Sequence, residues 1–316
     1  MLRRRALLAC AAGGLLTACA NAPRAGVARE LAPGVWVVPG TGGAADPANL
    51  GRIGNAGFVV GPQGVVAVDT GTSYAHGQAL LATIRAVTDR PVRVAVVTHT
   101  RPEFLFGGGA FRDAGIPVRM HRRTATLMAS RCETCLKTLR QVVGEAPLAG
   151  TAMYKPDQQY DDSHDLGELI GRPLRVQYFG HSSGPGDVAV FEPSAGVLFA
   201  GGLLDVHRVP DIQDSDLPGW RHALAELHTM DVRTVVPGHG APASAGGIDA
   251  VERYLAALET KVRAIVAEGA SLLGVADAAE LPEYESWDQY DVIHRRNASV
   301  AFLRFERELM FKTGNT

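Results

Sequence analysis

Five short apolar runs, each closed by glycine or a polar residue, constrain this chain most: GVVAVDTG, VRVAVVTHT, DVAVFEP, GVLFAGG and RTVVPGHG. Each is too short for an ordinary helix and rich in valine, so each reads as a buried strand. Polar candidates fall just past the strand ends at Asp69, His99 and His239, with His181 after LRVQYFG and Gly202 at the matching place in GVLFAGG. Ligand sites in layered α/β folds collect at such edges. Helical patterns lie between and after the runs. GQALLATIRAVTDR spaces Leu80, Ile84 and Val87 on one face before Pro91, FRDAGIPVRMH leads from a helix into a strand ending near His121, and a helical stretch runs from Thr124 to about Val143. Val251, Leu255, Leu258, Val262 and Ile265 form an apolar stripe, and a last helix over Asn297 to Phe311 repeats it with Val300, Leu303 and Met310.

With 316 residues and 46% hydrophobic side chains the chain can bury a sizeable core. Its 31 Lys and Arg nearly balance 33 Asp and Glu, and no basic stripe runs along any segment, which argues against nucleic acid as a partner. A small-molecule ligand or a protein partner is the expectation.

The start, MLRRRALLACAAGGLLTACANAP, has the basic, apolar and small-residue succession of an export signal. Leu16, Thr17, Ala18 and Cys19 resemble a bacterial lipobox, with Cys19 as the lipidated residue, and Arg4 and Arg5 have some likeness to a twin-arginine signal. The expected organisation is an export signal with lipobox over residues 1–19, a tether over 20–30, and one domain over 31–316 that includes the C-terminal helices. The protein would then be periplasmic and held to the membrane through its lipid anchor.

Export changes the reading of RCETCLK. A zinc half-site at Cys132 and Cys135 would need a second ligand pair, and a haem attachment site would need His where Leu136 stands. In an oxidising compartment a local disulfide between Cys132 and Cys135, structural or redox-active, is the first expectation, with two free buried thiols the alternative.

The order of Asp69, THTRPEFLFGG, FGHSSGPGD, LFAGG and VVPGHG resembles the metallo-β-lactamase superfamily across nearly the whole chain after the signal, and in particular the exported members grouped as quinoprotein relay system zinc metallohydrolases. The resemblance implies an α/β fold, the metallo-β-lactamase αββα four-layer sandwich, with a metal site along one edge of two sheets. In that family the second motif is THxHxDHxxGG, whose ligands hold two metal ions with a bridging hydroxide as nucleophile. On this sequence Thr98, His99, Gly107 and Gly108 match, whereas Arg101, Glu103 and Phe104 stand where the second histidine, the aspartate and the third histidine would be. Counting back from Asp187 puts Ser183 at the third-motif histidine, with His181 two residues earlier. Gly202 replaces the bridging aspartate, Asp205 follows three residues on, and Pro237, Gly238, His239 and Gly240 are intact.

Guanidinium stays protonated and offers no lone pair. At ~4 Å from a divalent ion and an effective dielectric of ~20 it would cost on the order of 8 kcal/mol, against about 10 to 16 kcal/mol for binding a structural zinc. Two readings follow. One is a hydrolase with a single altered zinc site, at most one ion, using His99, His181 and His239 as ligands, Glu103 as ligand or base and Asp69 as the residue orienting the loop; it would act on an ester, thioester, lactone or lactam. The other, favoured on ligand count, is a non-catalytic binding or assembly protein in which Arg101 pairs with Glu103 or holds an anionic ligand such as a carboxylate. A third is redox work by the cysteine pair. His222 and His228 read as helix-surface residues, and His207 is the further histidine of interest.

Overall fold

The computed structural model describes residues 27–313, so the signal and Cys19 lie outside the described residues. Strands β1 (Arg29–Ala32), β2 (Val35–Val38), β3 (Ala56–Gly61), β4 (Gly64–Val68), β5 (Val92–Val97), β6 (Val118–His121) and β7 (Gln158–Tyr160) form one sheet in that order. The first four pair antiparallel, and β4 to β7 run parallel. A second sheet has β12 (Thr234–Pro237), β11 (Val197–Gly201), β10 (Val188–Glu192), β9 (Arg175–Tyr178) and β8 (His164–Asp165), with β11 and β12 parallel. Arg29 and Glu30, expected in the tether, already belong to β1.

Every residue of β4, β10 and β11 is buried, which is why these runs do not alternate; the one charged residue in them, Glu192 at the end of β10, is paired with Arg172. The two sheets bury valines against each other: Val59, Val66, Val68, Val94 and Val96 from one, Val176, Val188, Val190 and Val236 from the other. Helices α1 (Tyr74–Val87), α2 (Pro102–Leu105), α3 (Gly108–Asp113) and α4 (Arg122–Val143) follow strands of the first sheet, and α1, α3 and α4 cover its outer face through Leu80, Ile84, Phe111, Met128 and Leu136. After the short α5 (Gly167–Ile170), helices α6 (Leu217–His228), α7 (Gly246–Ala267), α8 (Val275–Ala278) and α9 (Arg295–Thr313) cover the second sheet through Trp220, Leu224, Val251, Leu258 and Phe302. The layers are therefore αββα, as the resemblance implies. Among the described residues no helix is long and apolar enough to cross a membrane.

The last helix corrects one expectation. Its buried face is Ala298, Ala301, Phe302 and Phe305, while Leu303 and Met310 are 51% and 59% exposed. The small Ala298 and Ala301 let α9 approach α7 closely, which turns the larger aliphatics outward. Phe302→Ala should then cost about 3–5 kcal/mol in urea denaturation, and Leu303→Ala should stay within about 0.5 kcal/mol. Equal losses would return Leu303 to the core.

Candidate active site at the sheet edge

The site is built where β4, β5, β11 and β12 end. Asp69 follows β4 with a left-handed φ of 61°, a conformation that costs an aspartate on the order of 1–3 kcal/mol. Its N–H donates to Val96 O at 2.8 Å, and its carboxylate accepts from the Thr98 N–H and hydroxyl at 2.8 and 2.9 Å. Burial pushes the Asp69 carboxyl up to about 8 against those donors. Asp69 therefore ties the start of the loop after β5 to the end of β4.

Pro102 fixes the next step. A residue before proline is driven to extended backbone, and Arg101 has φ −74° and ψ 149°, so its side chain leaves the loop before α2 begins at Pro102. The turn of α2 then buries Glu103 and Phe104. The Phe104 ring stands edge-on between His99 and His239, with centroids 5.8 and 5.5 Å away.

His239 is held on both sides. Its Nδ1 lies 2.8 Å from Asp205 Oδ1 and its Nε2 3.0 Å from Glu103 Oε1, and all three residues are buried. Burial opposes charge on His239, but the Asp205 charge and the hydrogen bonds to Asp205 and Glu103 raise its pKa above the usual histidine value. Burial likewise opposes ionised Glu103, yet the His239 bond and charge, with Arg101 beside them, hold that carboxyl at about 2. His99 Nδ1 sits 2.6 Å from Asp187 Oδ2, close enough for attraction though without hydrogen-bond alignment, and Ser183 Oγ donates to the same oxygen at 2.5 Å.

Several expected residues are elsewhere. His181 is not in this cluster: its Nε2 lies 2.7 Å from the Asp214 carbonyl oxygen, because its loop is tied to the start of α6 by Asp216 N–H donating to Ser182 O. Ser183 touches the site as the partner of Asp187. Gly202 leaves no room for a side chain, since a Cβ there would come 2.3 Å from His99 Nδ1. His207 is exposed. Cys132 and Cys135 are free thiols, not a disulfide. Both lie within α4, and residues three apart on a helix keep Cβ atoms about 5–6 Å apart, wider than the 3.5–4.5 Å of a disulfide.

Asp205 and Asp187 are the two carboxylates of this cluster to which motif spacing assigns no role. Asp205 reaches His239 because the left-handed Gly201 and the turn Ala200–Leu203 fold the chain back, and its carboxylate also accepts the His239 backbone N–H at 3.0 Å. Among the described residues, the set of His, Asp and Glu whose ligand atoms converge within 4.8 Å is His228, Asp249 and Glu252 on the outer helices, away from this edge.

Beside the cluster opens a pocket of about 360 Å³ whose lining includes His99, Arg101, Arg131, Arg208, Arg296, Asp211 and Asp214. Arg101 Nη2 is 3.3 Å from Asp211, which also pairs with Arg296; Arg131 pairs with Asp214; and Arg208 Nη1 is 2.6 Å from Asp288. Although burial disfavours its charge, the carboxylates of Asp211, Asp205, Glu103 and Asp187 raise the Arg101 pKa above the usual arginine value.

The linkage has a defined direction. Glu103 stabilises the fold fully above its ordinary value of 4.5 and loses that contribution as pH falls towards 2, whereas His239 contributes below 6.5 and loses its share as pH rises through its raised value. Between pH 4.5 and 6.5, wild type should exceed Glu103→Gln by on the order of 3 kcal/mol in urea denaturation, with the gap closing as pH falls below 4.5. A gap that does not change with pH in that range would exclude an ionised Glu103.

Residues 50–239 match the family model of the metallo-beta-lactamase superfamily. A linear primary-alkylsulfatase from a Pseudomonas species is 26% identical over 233 residues, which are 63% of this chain and 43% of that protein. Metallo-beta-lactamase type 2 from Bacteroides fragilis is 29% identical over 102 residues, 31% of this chain and 39% of that protein. The chain thus spans about two fifths of the length of the curated relatives it matches. Among solved structures, a metallo-beta-lactamase from Pontibacter korlensis is similar with a TM-score of 0.59 and 22% identity, covering 72% of this chain and 98% of that one. One from Erythrobacter litoralis has a TM-score of 0.58 and 20% identity, covering 72% and 95%. The strand order, the four layers and the match over residues 50–239 place this chain in the metallo-beta-lactamase superfamily.

Proposed function

We propose that this member of a hydrolase-like family binds a small organic anion in the arginine pocket and does not run hydrolysis on a dinuclear zinc centre. The observation that carries the reading is Arg101, a permanent cation at a loop position where the family pattern has a metal ligand, with its guanidinium lining the pocket 3.3 Å from Asp211. The donor set fits zinc poorly. Both ring nitrogens of His239 already face carboxylates, the non-ligating Phe104 ring packs against both His239 and His99, and His99 occupies the room that an aspartate at position 202 would need. Three protein ligands are the usual minimum for catalytic zinc; His99, Glu103 and His239 would have to give up their present partners to supply them.

The pocket suits an anion. Four guanidinium groups line it against the two carboxylates Asp211 and Asp214. Arg208 is 5% exposed and its Nε has no partner, and the buried Thr100 hydroxyl on the same lining also has none. Buried donors of this kind are ordinarily satisfied, and an anionic oxygen would be a charge-assisted acceptor for them. The similar alkylsulfatase is named for sulfate esters, which are organic anions, and this supports the class. Export, attachment to the membrane through Cys19 and kinship with quinoprotein relay proteins belong to the same proposal on the strength of the sequence.

In calorimetry, hexyl sulfate or hexanoate should bind with hexanol as a silent control, and Arg101→Ala should weaken binding about tenfold or more, as expected for a charge-assisted hydrogen bond. The protein purified without chelators should carry no stoichiometric zinc. Near-stoichiometric zinc that disappears in His239→Ala, together with hydrolysis of a thioester or lactam, would overturn the reading in favour of a mononuclear metallohydrolase.

A further inference from the structure

The wall of the arginine pocket also carries two thiols. Cys132 and Cys135 lie on successive turns of α4 and both line the pocket, together with Arg101 and Arg131. Cys132 is 1% exposed and its Sγ lies 3.6 Å from the Thr100 carbonyl oxygen, on the loop that carries His99 and Arg101. Cys135 is half-buried, with its Sγ 3.5 Å from the Arg131 carbonyl oxygen. The pair is thus a buried thiol behind an accessible one, facing a cavity whose cations gather anions. Cys132 belongs to the core beneath α4, and Cys135 packs against the margin of that core while also lining the cavity.

We propose that Cys132 and Cys135 form a dithiol site that reduces small disulfides bearing carboxylates, which the pocket arginines hold. The substrate class rests on reading the pocket as an anion site. The Cys135 thiolate attacks one sulfur of the bound disulfide; the S–S bond breaks, and one thiolate leaves and takes a proton from water. Cys132, having given its proton to water, then attacks Cys135 of the mixed disulfide, forming the Cys132–Cys135 bond and expelling the second small thiol. Two protein thiols are oxidised and one small disulfide becomes two thiols. The neighbouring Cys132 thiol lowers Cys135 to about 7 in spite of partial burial, while the Cys135 sulfur and burial raise Cys132, which gives the two sulfurs the order of attack the sequence of steps needs. Closing a disulfide across a helical turn requires α4 to tighten, since its Cβ spacing of about 5–6 Å exceeds the disulfide range. Strained disulfides are the readily reduced ones, so an excess of the small disulfide drives the pair to its oxidised form and an excess of small thiol returns it to the dithiol.

The test uses the full chain carrying Cys10→Ser and Cys19→Ser, so that the pair holds all its remaining thiols. Glutathione disulfide, an anion, and cystamine, a cation, are compared by intact mass and thiol release, each relative to its rate with N-acetylcysteine. The expected result is loss of two hydrogens from the protein with two small thiols released, a relative rate for glutathione disulfide about tenfold or more above that for cystamine, and loss of that preference in Arg131→Ala. Cys132→Ser should stop at a stable mixed disulfide on Cys135. If hexyl sulfate binds but neither disulfide oxidises the pair, the dithiol proposal fails while the anion-pocket reading stands. If both disulfides react at equal relative rates and hexyl sulfate does not bind, the anion reading fails and takes the substrate class with it.

Discussion

Four carboxylates, those of Asp69, Glu103, Asp187 and Asp205, lie buried within one edge of the two sheets. Acidic groups this close and this dry are costly to ionise unless cations or donors face them, and Asp69, pushed up to about 8, is the one that burial keeps largely protonated at neutral pH. Each has such a partner: Thr98 for Asp69, His99 and Ser183 for Asp187, and His239 shared between Asp205 and Glu103. Arg101 adds a fixed positive charge whose field reaches Glu103, Asp187 and Asp205. In the reading proposed here these internal cations supply the charge balance that metal ions supply in the family pattern. The loops after β5, β11 and β12 owe their mutual positions to those pairs.

In the same reading the site and the fold rest on separate interactions. The sheets are held by valines several residues behind the edge, and the outer helices by separate clusters of their own. In the proposed reading, exchange of ligands for Arg101, Phe104 and Gly202 would leave that packing untouched. Phe104 in fact extends it, filling the space between His99 and His239 with apolar volume. What they would alter is the chemistry at the rim, where four arginines line a pocket together with His99.

Much of this was legible in the sequence because it depends on local pattern. Continuous apolar runs gave the buried strands, and the order of the five motifs gave the layers. The non-ligating chemistry of guanidinium made Arg101 the informative residue before any geometry was known. The partners of His239 were not legible, because Asp205 reaches it only through the turn after Gly201, and spacing alone put it too far along. His181 was misplaced for a similar reason: the fold of its own loop onto the start of α6, not its distance from Asp187, decides where the ring goes. The outward turn of Leu303 follows from which helix α9 meets, and the separation of Cys132 and Cys135 as thiols follows from their place in the middle of a helix.

The central claim is that His239 is a cation clamped by Asp205 and Glu103, not a resting metal ligand. It is tested most directly by nitrogen-15 spectra of the His239 ring at neutral pH, with and without zinc. The account predicts that both ring nitrogens carry protons and that zinc at stoichiometric concentration leaves their resonances in place. A ring nitrogen that loses its proton and shifts on addition of one equivalent of zinc would contradict it.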